Sequence, residues 1–168
     1  LDFLDIFKNI VPKDDGCIHM PGVPGPEDQS LWNQNVVLMS SAERHNVERE
    51  LPEHISEGSI YMLSGFQPGQ SMEEVSKLPL KKLPITGWPE GVSFQPHGIY
   101  VHKEDSTVYA ISHGMAQGGE RIEVFDVQTN SADVPVSLKY KHSITSDWLN
   151  REAYGILNSI AVIEPNKF

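Results

Sequence analysis

The chain has one cysteine in 168 residues, Cys17, so no disulfide can close within it, and cysteine usage leaves the redox compartment open. It has no apolar run of the roughly 18 residues that a membrane helix needs and no basic-then-apolar leader at its visible start. Basic clusters are missing as well. The 13 Lys and Arg stand against 23 Asp and Glu, a net charge of −10, which argues against nucleic acid as a partner and suits a cation as ligand. Long helical periodicity is scarce beyond the opening residues, where Leu1, Phe3, Leu4, Ile6, Phe7 and Ile10 recur at helical spacing and predict a short docking helix. Familiar catalytic signatures are absent too, with no G-x-S-x-G elbow, no H-E-x-x-H pair and no EF-hand loop. No serine nucleophile, zinc pair or EF-hand calcium loop is therefore signalled.

What the chain does have is a series of short apolar runs separated by Pro, Gly, Asp, Asn and Ser, which predicts an all-β fold. Candidate strands are Val36 to Ser41, Ser59 to Leu63, Lys81 to Ile85, Gly98 to His102, Thr107 to Ser112, Arg121 to Val127, Val136 to His142 and Ser159 to Ile163. Gln67 to Lys77 reads as a polar loop with one helical turn, and Ser146 to Tyr154 as a loop or helical turn. A hydrophobic content of 39% suffices for a real core. The start at Leu1 rather than Met, and the stop at Phe168 just after an apolar run, create the expectation that this is a piece of a longer protein.

The chain also repeats. Pro26-Glu27-Asp28, a short run to Trp32, a polar turn and then Val-Val-Leu-Met-Ser-Ser match Pro96-His97-Gly98, Ile-Tyr-Val, a polar turn and then Thr-Val-Tyr-Ala-Ile-Ser, about 70 residues later. Leu157-Asn158-Ser159 followed by Ile-Ala-Val-Ile begins a third copy. Each copy holds about four strands, the signature of β-propeller blades. The expectation is therefore a lead-in over 1–16 and a partial β-propeller over 17–168. Its first blade would span about 25–90, its second about 94–145, and the first strand of a third would start at about 157–168.

Arranged around an axis, equivalent positions in each blade converge at one end of a central channel. Those positions hold Glu27-Asp28, His97-Gly98 and Asn158-Ser159. Converging carboxylate, amide and carbonyl oxygens suit a hard cation such as Ca²⁺. Each feature alone has a plainer reading: Glu-Asp before a strand is a solvated turn, His before Gly is structural, and Asn at a strand start caps a loop. Their equivalence in register across three copies is what joins them into one candidate site. Pro96 disfavours helix at Gln95, and Gly98 admits close backbone approach, which puts His97 at the mouth of its strand.

Gly25-Pro26-Glu27-Asp28, Val37 to Ser41, Phe94-Gln95-Pro96-His97-Gly98-Ile99, Thr107-Val108-Tyr109 leading to His113, and Leu157-Asn158-Ser159-Ile160-Ala161-Val162 with Glu164-Pro165 and Phe168 resemble, in order and spacing, the paraoxonase/arylesterase family. That resemblance covers roughly 12–168. It implies a secreted or secretory-pathway, glycosylated six-bladed propeller of about twice this length, with two calcium ions in its channel and arylesterase and lactonase activity. It makes Glu27 and Asn158 side-chain ligands of the catalytic calcium, Asp28 and the Ile99 carbonyl ligands of the structural calcium, and His97 and His113 a water-activating histidine pair. Cys17 matches a cysteine that pairs with one near the family's C-terminus. Two positions depart from the family: Ser159 stands where an Asp is usual, and His45 follows Ser40-Ser41 where an active-site tyrosine is expected.

The chemistry so implied is metal-assisted hydrolysis of a small-molecule ester or lactone, with His97 as the base for water. His19, His54, His102 and His142 have no matched role and read as surface histidines. Two alternatives stay open: a noncatalytic calcium-stabilised propeller acting as a binding module, which the Ser159 and His45 departures favour, and a sugar-lactone hydrolase of the gluconolactonase type. Lipid or membrane association through a segment upstream of Leu1 also stays open.

Overall fold

The computed structural model describes residues 20–43, 57–114, 119–149, 157–165 and 167–168. Within them the chain is all-β, as its short, punctuated apolar runs require. Strands β1 (Pro26–Asn33), β2 (Val36–Ser41), β3 (Ser59–Ser64) and β4 (Leu80–Lys82) form one sheet in sequence order, every neighbour antiparallel. Strands β6 (Pro96–His102), β7 (Thr107–Gly114), β8 (Gly119–Thr129) and β9 (Pro135–Ile144) form a second antiparallel meander, to which β5 (Ile85–Thr86) adds in parallel beside β9. Among the described residues no helix is long and apolar enough to cross a membrane.

The single strand expected over Lys81 to Ile85 is instead two, β4 and β5, belonging to different sheets. Pro84 stands between them, where a residue without an N–H cannot continue a ladder. The turn expected in Gln67 to Lys77 is helix α1 (Met72–Ser76), stopped from fraying at its start by a capping box between Ser71 and Glu74. A 3₁₀ turn spans Asp147–Leu149. The strand expected at Ser159 to Ile163 does not form. Residues 157–162 lie over the second sheet without a ladder, because a strand exists only where a neighbour takes its backbone N–H and C=O groups, and among the described residues the pairing nearby is the bridge Glu164 to Lys167. The opening helix, Cys17, His19, His45 and His54 lie outside the described residues. His102 is no loose surface histidine: its side chain is 12% exposed and bonds Asp105 at 2.8 Å, whereas His142 is exposed.

The two sheets share one core. Trp32, Leu38, Ile60 and Met62 of the first sheet pack with Ile99, Val108, Ala110, Phe125 and Leu138 of the second. The second sheet is apolar on its other face too, where Tyr109, Ile111, Ile122 and Val124 meet Val162, Leu157 and Ile160. Two-sided burial explains why β7 reads Val-Tyr-Ala-Ile without polar alternation. At the end of the sheets marked by the β8–β9 turn, Trp32 Nε1 donates to the Asp133 carbonyl at 2.8 Å, and Lys103 sits over the indole while bonding the Asp133 carboxylate at 2.7 Å. That bond from Lys103 holds the Asp133 carboxyl below the usual carboxylate range.

Phe125 is fully buried among Trp88, Phe94 and Tyr140, with ring centroids 5.9, 5.6 and 6.1 Å away. Deleting that ring removes the centre of the shared core. Phe125→Ala is expected to lower the unfolding free energy by about 3–5 kcal/mol, read as a lower urea midpoint, with little change in slope.

Candidate functional site

The sequence repeat is a repeat of one backbone distortion. Between Pro26 and Gln29 strand β1 advances three residues while β2 advances two, from Ser41 to Met39. Between Pro96 and Ile99 strand β6 does the same against Ser112 and Ala110 of β7. Each shift is a β-bulge, which lifts an extra residue out of the ladder and re-aims side chains. The bulged residues are Glu27-Asp28 in one sheet and His97-Gly98 in the other, the pairs that head the two repeat copies. Each bulge is braced by a serine opposite its proline: Ser41 Oγ donates to the Pro24 carbonyl, and Ser112 Oγ accepts from the Gln95 amide at 3.1 Å.

The bulges bring four side chains into one row that crosses both sheets. His97 Nε2 lies 2.8 Å from Glu27 Oε1, His97 Nδ1 lies 2.5 Å from His113 Nε2, and His113 Nδ1 lies 2.6 Å from Glu120 Oε2. Glu27 is the outer end, its side chain 37% exposed, and Glu120 the buried end at 1%. A carboxylate faces a ring nitrogen at each end of the row and the two rings face each other, so which nitrogen donates at each contact follows from the histidine tautomers. The two carboxylates at its ends orient the rings between them.

Asp28 has a different task from its neighbour. Its Oδ2 accepts the Ile99 amide at 2.9 Å and its Oδ1 accepts the Gln29 amide at 2.8 Å, while Ser30, two residues on and on the same face, accepts the Val101 amide through Oγ at 3.0 Å. Ile99 and Val101 belong to the edge strand of the second sheet, and these side chains of β1 take the N–H groups that the edge leaves over. Asp28 thus meets Ile99 through its N–H.

Asn158 and Ser159 arrive from the far end of the chain. An atom at the Cβ position of Gly98 would lie 2.7 Å from the Asn158 carbonyl oxygen and 2.8 Å from Ser159 Cα, so only glycine lets these backbones approach. This puts Asn158-Ser159 beside the His97 bulge. Of the residues singled out in the sequence, Glu27, His97 and His113 form one bonded row, Asp28 and Ile99 a second contact beside it, and Asn158 and Ser159 flank Gly98. Cys17 and His45 lie outside the described residues.

Glu120 was not foreseen. It stands directly opposite His113 in the β7–β8 ladder. The signal was present in the period-2 pattern, because Glu120 shares its face with Ile122 and Val124, and a carboxylate on an otherwise apolar face asks for a partner. The opposite face of β8 carries a second buried carboxylate, Glu123, satisfied by Arg121 at 2.9 Å and by Ser143, which also bonds Tyr140. That network ties β8 to β9 and stands apart from the histidine row.

No protein-family model matches the chain, and no curated protein or solved structure matches it either.

Gly98→Ala tests the close approach. The added methyl is expected to push residues 158–159 off the bulge and to cost about 1–3 kcal/mol of stability, measured by chemical denaturation. A variant as stable as the parent would mean that the 157–162 segment does not rest on Gly98.

Proposed function

We propose that this chain contributes two blades and the start of a third to a β-propeller of the paraoxonase/arylesterase type, a calcium-dependent hydrolase of aryl esters and lactones. The observation that carries the reading is the row from Glu27 through His97 to His113, in which a partly exposed carboxylate and two buried imidazoles are bonded across two sheets at matching bulges. Two meanders of four strands, packed face to face through a shared core, support the blade reading.

The donor chemistry around the bulges fits calcium, which takes oxygen ligands from carboxylates, amides and carbonyls. Glu27 and Asn158 would hold the catalytic ion, and Asp28, the Ile99 carbonyl and Ser159 a second one. Among the described residues no group of three or more His, Cys, Asp or Glu is placed to hold a metal ion, so these sets lean on neutral oxygens. When bound, the ion would polarise the ester or lactone carbonyl and stabilise the oxyanion.

The residues of the chain supply the proton chemistry. His97 Nε2, at the open end of the buried pair beside Glu27, would take the proton of an attacking water when that nitrogen carries none of its own. His113, buried beside it, meets His97 Nδ1 through Nε2 and so holds the His97 ring in place. A noncatalytic propeller is the second reading. It is favoured by Asp28, whose two oxygens already serve backbone amides as a structural brace.

In the full-length protein, His97→Gln is expected to lower kcat for a simple lactone and an aryl ester by at least about 10²-fold, with calcium affinity by calorimetry changed only a few-fold. Chelation should abolish turnover of the parent, and added calcium should restore it. Near-normal turnover of the variant would sink the hydrolytic reading and leave the structural one.

A further inference from the structure

We infer that Glu120 is the positioning residue of the histidine pair: its buried carboxylate holds a proton on His113 Nδ1 and so turns His113 Nε2 toward His97. This inference rests on the hydrolytic reading above. Glu120 is placed by the ladder itself, directly across from His113 on β8, so the 2.6 Å contact between Oε2 and Nδ1 needs no long reach from either side chain. Both are withdrawn from water, at 5% and 1% side-chain exposure.

The cost of that placement argues for a role. A carboxylate taken out of water loses several kcal/mol of hydration unless its oxygens are satisfied. Glu123, on the other face of the same strand, has partners for both oxygens. Glu120 does not: among the described residues its Oε1 has no hydrogen-bond partner, and its Oε2 meets one ring nitrogen. The same face of β8 is otherwise filled by Ile122 and Val124, so the carboxylate is set among apolar neighbours with His113 as its polar partner.

Imidazole chemistry supplies the role. The two ring nitrogens of histidine are alternatives, and the partner of one decides what the other does. A carboxylate can only accept, so Nδ1 of His113 carries its proton toward Glu120 and Nε2 is left to share the proton between the histidines. Without Glu120 the two tautomers of His113 are close in energy, and a protonated Nε2 would oppose any N–H on His97 Nδ1. A third group that orients a base in this way is worth orders of magnitude in rate in other hydrolases, although it touches no substrate.

The test compares Glu120→Gln, Glu120→Asp and His97→Gln in the full-length protein, by steady-state kinetics on a simple lactone and by ¹⁵N-histidine NMR. Glu120→Gln replaces the obligate acceptor with an amide that also donates. The expected result is a fall in kcat of about 10²–10⁴-fold with KM within about two-fold. The ¹⁵N signal of His113 Nδ1 should lose its protonated character at the same time, and Glu120→Asp should restore both in part. Three outcomes overturn the assignment: kcat within three-fold of the parent in Glu120→Gln, a loss of kcat with the His113 nitrogen signals unchanged, or the same loss in Glu120→Asp as in Glu120→Gln. Loss in His97→Gln with none in Glu120→Gln removes the role of Glu120 and leaves the hydrolytic reading standing. Normal turnover in His97→Gln removes the hydrolytic reading, and the nitrogen spectra then decide by themselves whether Glu120 sets the tautomer. Should Glu120→Gln fail to fold, Glu120→Asp carries the same spectral comparison.

Discussion

The second sheet begins with an edge strand, and an edge strand presents N–H groups that must be taken by something. Here β1 of the first sheet takes them with side chains, Asp28 on the Ile99 amide and Ser30 on the Val101 amide, while Trp32, the next residue on that face, fills the shared core. This row of three residues at period two sets how the sheets face each other. Everything at the site follows from that alignment. It brings the bulge at Glu27 level with the bulge at His97, and neither sheet alone holds the bonded row.

Bulges and burial then divide the labour between neighbouring residues. Glu27 and Asp28 are adjacent carboxylates, yet one bonds an imidazole and the other braces backbone, because the bulge turns them to different partners. On β8 the alternation of a strand does the same for Glu120 and Glu123. The first faces His113, while the second faces Arg121 and Ser143 on the other side of the sheet. The charges that matter are thus separated by pleat rather than by distance along the chain.

The pattern of short apolar runs was enough to read an all-β chain, and most of its strands, because two-sided burial leaves continuous Val, Ile and Tyr runs bounded by turn residues. Positions 27–28 and 97–98, equivalent in the repeat, share a bulge. The pattern failed where pairing decides instead. Ile-Ala-Val-Ile at 160–163 has strand composition, but no ladder partner lies beside it among the described residues. The run from Lys81 to Ile85 was split between sheets by Pro84. Period two sets Glu120 on the apolar face of Ile122 and Val124, but its partner there, His113, is fixed only by the β7–β8 register.

By itself the sequence determined which residue types were available and at what spacing: the histidines near the outer ends of β6 and β7, the paired carboxylates after Pro26, and the glycine at 98. Local steric and burial preferences write those features directly into composition and period. Only the tertiary structure decided which of them touch. The contacts from Glu27 to His97 and from Asn158 to Gly98 join residues far apart in the chain, and their geometry depends on the bulge registers and the angle between sheets. Such quantities are properties of packed surfaces, set by the sum of many small contacts, and no local stretch of the chain contains them.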